Sequence, residues 1–134
     1  MTCCTCCRQL TESQRVDYPA ALFGVAFSLR VEPLVFAFAS RLSVDYRGWE
    51  YFALSNGGFY MAPDSGSLFA VRAENGFEGQ LSGCALGITA CLYAYSHLAF
   101  GNGEVAATCA EQYDLLRTHA LEHREARAIL SAIG

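Results

Sequence analysis

The sequence predicts an α+β fold, in which a small three- to four-stranded antiparallel meander is flanked by N-terminal and C-terminal helices in a single compact domain. Three observations lead there. Apolar residues recur at helical spacing on both sides of a central stretch of short aromatic-rich runs. Two Asn-Gly pairs, Asn56-Gly57 and Asn75-Gly76, punctuate that stretch as hairpin signals, since Asn-Gly supplies the positive φ angles of a type I′ turn. The chain has 134 residues, 53% of them hydrophobic and 16% charged, which suffices to bury roughly two-thirds of the surface its unfolded form exposes.

The elements follow in order. Residues 1–10 read as an untethered, cysteine-rich tail, leaving 11–134 as the folded domain. Thr11 with Gln14 fits a capping box, and Pro19 predicts an interruption, with a short helical turn before it and a restart at the proline. Leu22, Phe23, Ala26 and Phe27 then lie at helical spacing. A further helix opens at Pro33, carries Leu34, Val35, Phe38 and Leu42 on one face, and ends near Asp45, Tyr46, Arg47 and Gly48. Strand-like runs at 49–54, 59–62, 68–73 and 77–81 are separated by turn residues. On the second run Phe59 and Met61 face one way and Tyr60 the other, so one set is expected in the core and the other on display.

Beyond Ser82, a plausible N-cap, the chain reads as helical. Residues 79–103 contain no charge, and Gly83 with Gly87 spells G-x-x-x-G, so a membrane span has to be weighed. Interruption by Gln80, Ser82, Thr89, Ser96 and His97, with no flanking basic cluster, favours a central helix buried on all sides. Gly101, Asn102 and Gly103 end it. The next helix places Ala106, Cys109, Tyr113, Leu116 and Ala120 on one face, and the last places Ala126, Ile129, Leu130 and Ile133 at helical spacing.

Thirteen acidic residues against nine basic ones, all arginine, give a net charge of -4. This argues against nucleic-acid binding of the usual basic kind. Seven cysteines, an odd number with Cys3, Cys4, Cys6 and Cys7 crowded together, do not make a disulfide scaffold, and no basic region leading into an apolar one follows Met1. A cytoplasmic protein with reduced thiols is the expectation.

Candidate chemistry is sparse. Cys3 with Cys6 and Cys4 with Cys7 have C-x-x-C spacing, but no second ligand pair follows. His119 and His123 lie four apart on a helix, yet Glu122 adjoins the second histidine and a third ligand is missing, so solvated helix surface is favoured. Cys84 and Cys91 are expected to pack as small hydrophobes. His97 lacks a nucleophile and an orienting carboxylate at arguable spacing. No catalytic, cofactor-binding or metal-binding residue is assigned. A metal- or thiol-dependent enzyme using His119, His123 or the cysteine tail, and a general interaction module, stand as alternatives.

Ordered matches run from Tyr18 onward: Tyr18-Pro19 with Phe23-Gly24, Glu32 with Leu34-Val35, Trp49-Glu50-Tyr51-Phe52, the segment LSNGGFYMAP at 54–63, Asn75-Gly76-Phe77-Glu78-Gly79, the small-residue helix around Ala85, Gly87, Ile88 and Ala90, and Ala120-Leu121-Glu122-His123. In these the chain resembles the plasmid antirestriction proteins called ArdB or KlcA. It departs at the cysteine tail, at Arg124, where the family commonly has proline, and at His119, where it usually has an aromatic residue. The resemblance implies a cytoplasmic, non-enzymatic protein that relieves restriction of incoming unmodified DNA by type I restriction-modification enzymes. Its partner would be the restriction enzyme or an associated host protein, without DNA mimicry, without direct nucleic-acid binding and without a membrane. Asn56, Phe59, Tyr60, Asp64 and Glu78, on the meander and its turns, are the candidate partner surface.

Overall fold

The computed structural model describes residues 7–43 and 48–134; Cys3, Cys4 and Cys6 and the expected helix-end positions Asp45, Tyr46 and Arg47 lie outside them. The first described element is strand β1 (Cys7–Gln9), which corrects the expected tail over residues 7–10. β1 pairs antiparallel with β2 (Trp49–Leu54), with Cys7 opposite Leu54 and Gln9 opposite Phe52. Leu10 is buried behind it and its amide donates to the Tyr51 carbonyl at 2.8 Å. An open strand edge offers unpaired backbone groups, and three residues plus one apolar anchor suffice to occupy it.

Helix α1 (Glu12–Phe23) starts at the expected capping box: the Gln14 amide donates to Thr11 Oγ at 3.3 Å and the Thr11 amide to Gln14 Oε1 at 3.0 Å. It does not stop at Pro19. The proline withholds one donor from the Arg15 carbonyl, but its ring is buried and the helix runs through to Phe23. The break comes instead at Gly24, whose φ of +65° suits glycine. A π-helical turn (Phe27–Val31) then leads directly into α2 (Glu32–Leu42), with Pro33 in its first turn. Val35, Ala39 and Leu42 are buried, and Leu34 and Phe38 pack against the core.

The expected strands occur as two antiparallel hairpins in separate sheets. β2 pairs with β3 (Phe59–Pro63) in the order β1-β2-β3, and β4 (Leu68–Arg72) pairs with β5 (Glu78–Ser82). The connection at 63–67 is pressed onto the first turn of helix α3 (Gly83–Ala99), where a Cβ on Gly83 would stand 2.7 Å from the Pro63 carbonyl oxygen. It therefore carries the chain across the helix end and not back along β3. Neither Asn-Gly forms a type I′ turn, because Asn56 and Asn75 keep negative φ and only Gly57 (+95°) and Gly76 (+97°) are left-handed. Each hairpin uses a three-residue loop, closed by Gly57 N to Leu54 O at 3.0 Å and Gly76 N to Ala73 O at 3.1 Å. Each asparagine Oδ1 also accepts the amide two residues on, at 2.9 and 3.0 Å.

α3 is the central buried helix, touching β3, both strands of the second sheet, α2, α4 (Gly103–Leu121) and α5 (Ala126–Ile133). It covers the edge of β3 that β2 leaves open. Gly83, Gly87, Cys91 and Tyr95, four apart, form one line along the helix. Tyr95 donates to the Phe59 carbonyl at 2.6 Å, Cys91 Sγ meets the Met61 amide at 3.5 Å and its carbonyl at 3.7 Å, and a Cβ on Gly87 would overlap Met61 O and Ala62. The G-x-x-x-G pair thus brings a helix against a strand. No single helix among the described residues is long and apolar enough to cross a membrane.

Candidate functional site

The five sequence-nominated residues do not come together. Phe59 and Tyr60 are each 1% exposed and belong to the core, a correction to their assignment as surface. β3 has no display face: all five of its residues are buried, because Phe59 meets Phe23 and Phe27 on one side while Tyr60 stacks between Phe52 (4.9 Å) and His119 (5.9 Å) on the other. Asn56 is exposed but structurally engaged, its Nδ2 donating to the Leu115 carbonyl of α4 at 3.0 Å. Asp64 lies just beyond the opposite end of β3, about 16 Å of strand away, where its amide bonds the Gly48 carbonyl. Glu78 is on the second hairpin, exposed and 3.3 Å from Arg72.

A concavity of about 740 Å³ lies where the chain bends away from α1 at Gly24. α1 supplies Glu12, Arg15 and Val16, the bend Val25, the start of α2 Glu32, and β2 Tyr51. The Tyr51 hydroxyl donates to Glu32 Oε2. Arg15 lies over the Tyr51 ring at 4.6 Å, donates to the Trp49 carbonyl at 3.2 Å and reaches Glu50 at 3.8 Å. Burial foremost, then the Glu32 carboxylate, pushes the Tyr51 hydroxyl well above its ordinary range, so it stays a donor. Val16 (69% exposed) and Val25 (80%) line this cleft and Leu29 (72%) stands on the adjoining π-helical turn. The arrangement is a polar floor held rigid by internal bonds beneath an apolar rim, suited to binding. Motif spacing points elsewhere in the chain, although a signal exists: Val16 lies off the capped helix's buried face and Val25 follows the glycine break.

A second cleft of about 390 Å³ has Cys7, Tyr60, Cys84, His119, His123 and Arg124 among its lining. His119, expected on solvated surface, is 1% exposed. The buried face of α4 is wider than the apolar pattern suggested, since it takes in Gln112 and His119 as well as Ala106, Cys109, Leu116 and Ala120. Neither ring nitrogen of His119 has a hydrogen-bond partner, and burial, then the neighbouring His123, lowers its pKa. His123 is half-buried, accepts the Glu125 amide at Nδ1 (2.9 Å), and is likewise lowered, chiefly by burial. Glu125 in turn accepts from the Ser82 amide (3.0 Å) and hydroxyl (2.5 Å), tying the start of α5 to that of α3. Among the described residues no three His, Cys, Asp or Glu side chains are gathered as a metal's ligands.

Residues 44–134 match a family model described as antirestriction protein. The antirestriction protein KlcA of Escherichia coli is 42% identical over 132 residues, covering 92% of this chain and 91% of that one. The uncharacterized protein YafX of E. coli strain K12 is 39% identical over 128 residues, covering 91% and 83%. A solved structure superimposes with a TM-score of 0.88 at 39% identity, over 100% of this chain and 98% of the other. It comes from work on the KlcA and ArdB proteins that describes a novel fold and antirestriction activity against type I DNA restriction systems in vivo but not in vitro.

Proposed function

Because the chain belongs to the antirestriction protein family, we propose that it relieves restriction of incoming unmodified DNA by type I restriction-modification systems. It acts in the cytoplasm, without catalysis, by touching the restriction enzyme or an associated host protein. The observation that carries the choice of protein contact over DNA mimicry is what the carboxylates do. Duplex DNA presents about one negative charge per 1.7 Å, and a mimic needs a row of carboxylates turned outward. Here Glu32 takes Tyr51, Glu50 takes Gln9 and Arg15, Glu78 takes Arg72, and Glu125 takes Ser82. Glu32, Glu50 and Glu125 are thus engaged in joining elements of the fold, Glu78 is paired on the surface, and the net charge is only -4.

The contact is assigned to the 740 Å³ cleft and its valine rim, with exposed Asn56, Asp64 and Glu78 as secondary positions. The relative's activity in vivo but not in vitro supports a partner found in the cell and missing from a purified reaction. Plating efficiency of unmodified phage on cells with a type I system, with and without the protein, tests the function, with modified phage as control. Relief confined to unmodified phage is expected; unchanged plating with the protein present would sink the proposal. Where binding to a partner is measured, weak dependence on salt is expected, because a mimic's affinity falls steeply as salt rises.

A further inference from the structure

Two thiols lie beside one tyrosine hydroxyl. Cys84, in the first turn of α3, has its sulfur 3.3 Å from Tyr60 Oη. Cys7, the first residue of β1, lies beside the same hydroxyl and lines the same cleft. The strand register accounts for the meeting. Cys7 pairs with Leu54, Gln9 with Phe52 and Phe52 with Tyr60, so Cys7, Phe52 and Tyr60 project from one face of the sheet. Cys7 is exposed and Cys84 half-buried, so a small reagent entering the cleft meets both. Cys91 and Cys109 are buried elsewhere, and burial pushes their thiols up to about 12 and about 11, which leaves them inert by comparison.

We propose that Cys7 and Cys84 are a redox pair that closes to a disulfide when the protein meets a low-molecular-weight disulfide such as oxidised glutathione. The exposed Cys7 thiolate attacks the reagent's S–S bond, forming a mixed disulfide and releasing one glutathione thiol. Cys84 then loses its proton to solvent and attacks the Cys7 sulfur, expelling the second glutathione as its thiolate. Two protein thiols give up two electrons, and one oxidised glutathione becomes two reduced molecules. Bond formation requires the two Cβ atoms to come to about 3.8 Å. β1 can supply that movement, because it is a three-residue edge strand paired on one side alone. Closure draws β1 towards the first turn of α3, beside the Tyr60 hydroxyl.

The test is mass-spectrometric mapping of the full chain after incubation with oxidised glutathione, alkylation, and non-reducing digestion with trypsin and chymotrypsin. Cleavage after Leu86 separates Cys84 from Cys91. A variant with C3S, C4S and C6S removes ambiguity within the N-terminal peptide. The expected result, in wild type and in this variant, is a linked peptide pair joining Cys7 to Cys84, lost in C84S and restored to separate peptides by reductant. A stable glutathione adduct on Cys7 with Cys84 alkylated, or Cys7 linked elsewhere in the triple variant, would overturn the proposal. Because the linkage is read in wild type and in the triple variant, both of which keep Cys7, Tyr60 and Cys84, the outcome does not depend on how C84S folds.

Discussion

The Cys91 thiol stands where a neighbouring strand's backbone would stand beside Met61, accepting from its amide at 3.5 Å and donating to its carbonyl at 3.7 Å. With Tyr95 on the Phe59 carbonyl, it turns a helix into the missing partner of a sheet edge. An uncovered edge invites pairing with another chain, and here the side chains of one helical line close it.

Removing that line should be costly. C91A leaves a buried amide and carbonyl without partners and is expected to destabilise by about 1–3 kcal/mol. G87A forces a methyl group into the Met61–Ala62 backbone and is expected to cost about 1–3 kcal/mol or more. Urea unfolding midpoints at unchanged m-value check both. A wild-type midpoint in G87A would show that the helix and strand are not in close contact.

His119 makes stability depend on pH. Its folded-state pKa lies below the ordinary 6.5, so the unfolded chain takes up the proton first. Stability is full above about 6.5 and declines as pH falls from there through the folded-state value; His123 adds in the same direction. H119F keeps an aromatic ring against Tyr60 and removes two unpartnered nitrogens. It is expected to raise stability by about 1–3 kcal/mol and to flatten the decline below about pH 6.5, as read by denaturant titration at each pH.

The two hairpin tips are fastened alike. Asn56 Nδ2 bonds Leu115 of α4, and Asn75 Nδ2 bonds the Ser131 carbonyl of α5 at 2.9 Å. N56A and N75A are each expected to lose about 1–2 kcal/mol. Hydrogen exchange should show faster opening at 54–58 in the first variant and at 73–77 in the second, and a uniform change in both would count against separate fastenings.

V25D places a charge on the apolar rim of the larger cleft without touching a buried atom. Thermal stability within about 0.5 kcal/mol of wild type is expected, together with loss of restriction relief in the phage assay. Retained relief at equal protein level would move the contact surface away from this cleft, leaving the antirestriction reading intact.

Local signals in the sequence are legible where one short segment decides the outcome. The Thr11–Gln14 capping box, the Ser82 cap and the central helix ending before Gly101 all stand where the pattern puts them. What escapes depends on partners far along the chain. Pro19 stands inside α1 with its own ring buried, as Phe23 is, β1 exists because β2 has an open edge, and Tyr60 is buried because α3 and α4 close over the strand face that alternation would leave to solvent. His119 reads as surface on a helical wheel, and only the strand lying against α4 makes it core.

The Asn75 fastening also bears on how the chain is made. Asn75 and Tyr93 both bond the Ala132 carbonyl, at 3.3 and 2.5 Å, so the second hairpin and the central helix are completed by a residue made 57 and 39 positions later. Helix α3 can be synthesised in full and still lack α4 and α5, which bury much of its surface. The nascent chain must therefore carry an exposed, uncharged helix until α4 and α5 follow it. A stalled product that lacks α5 is consequently a substrate for chaperones and proteases, and cellular abundance should respond more sharply to lesions in α5 than to lesions of equal size in α1.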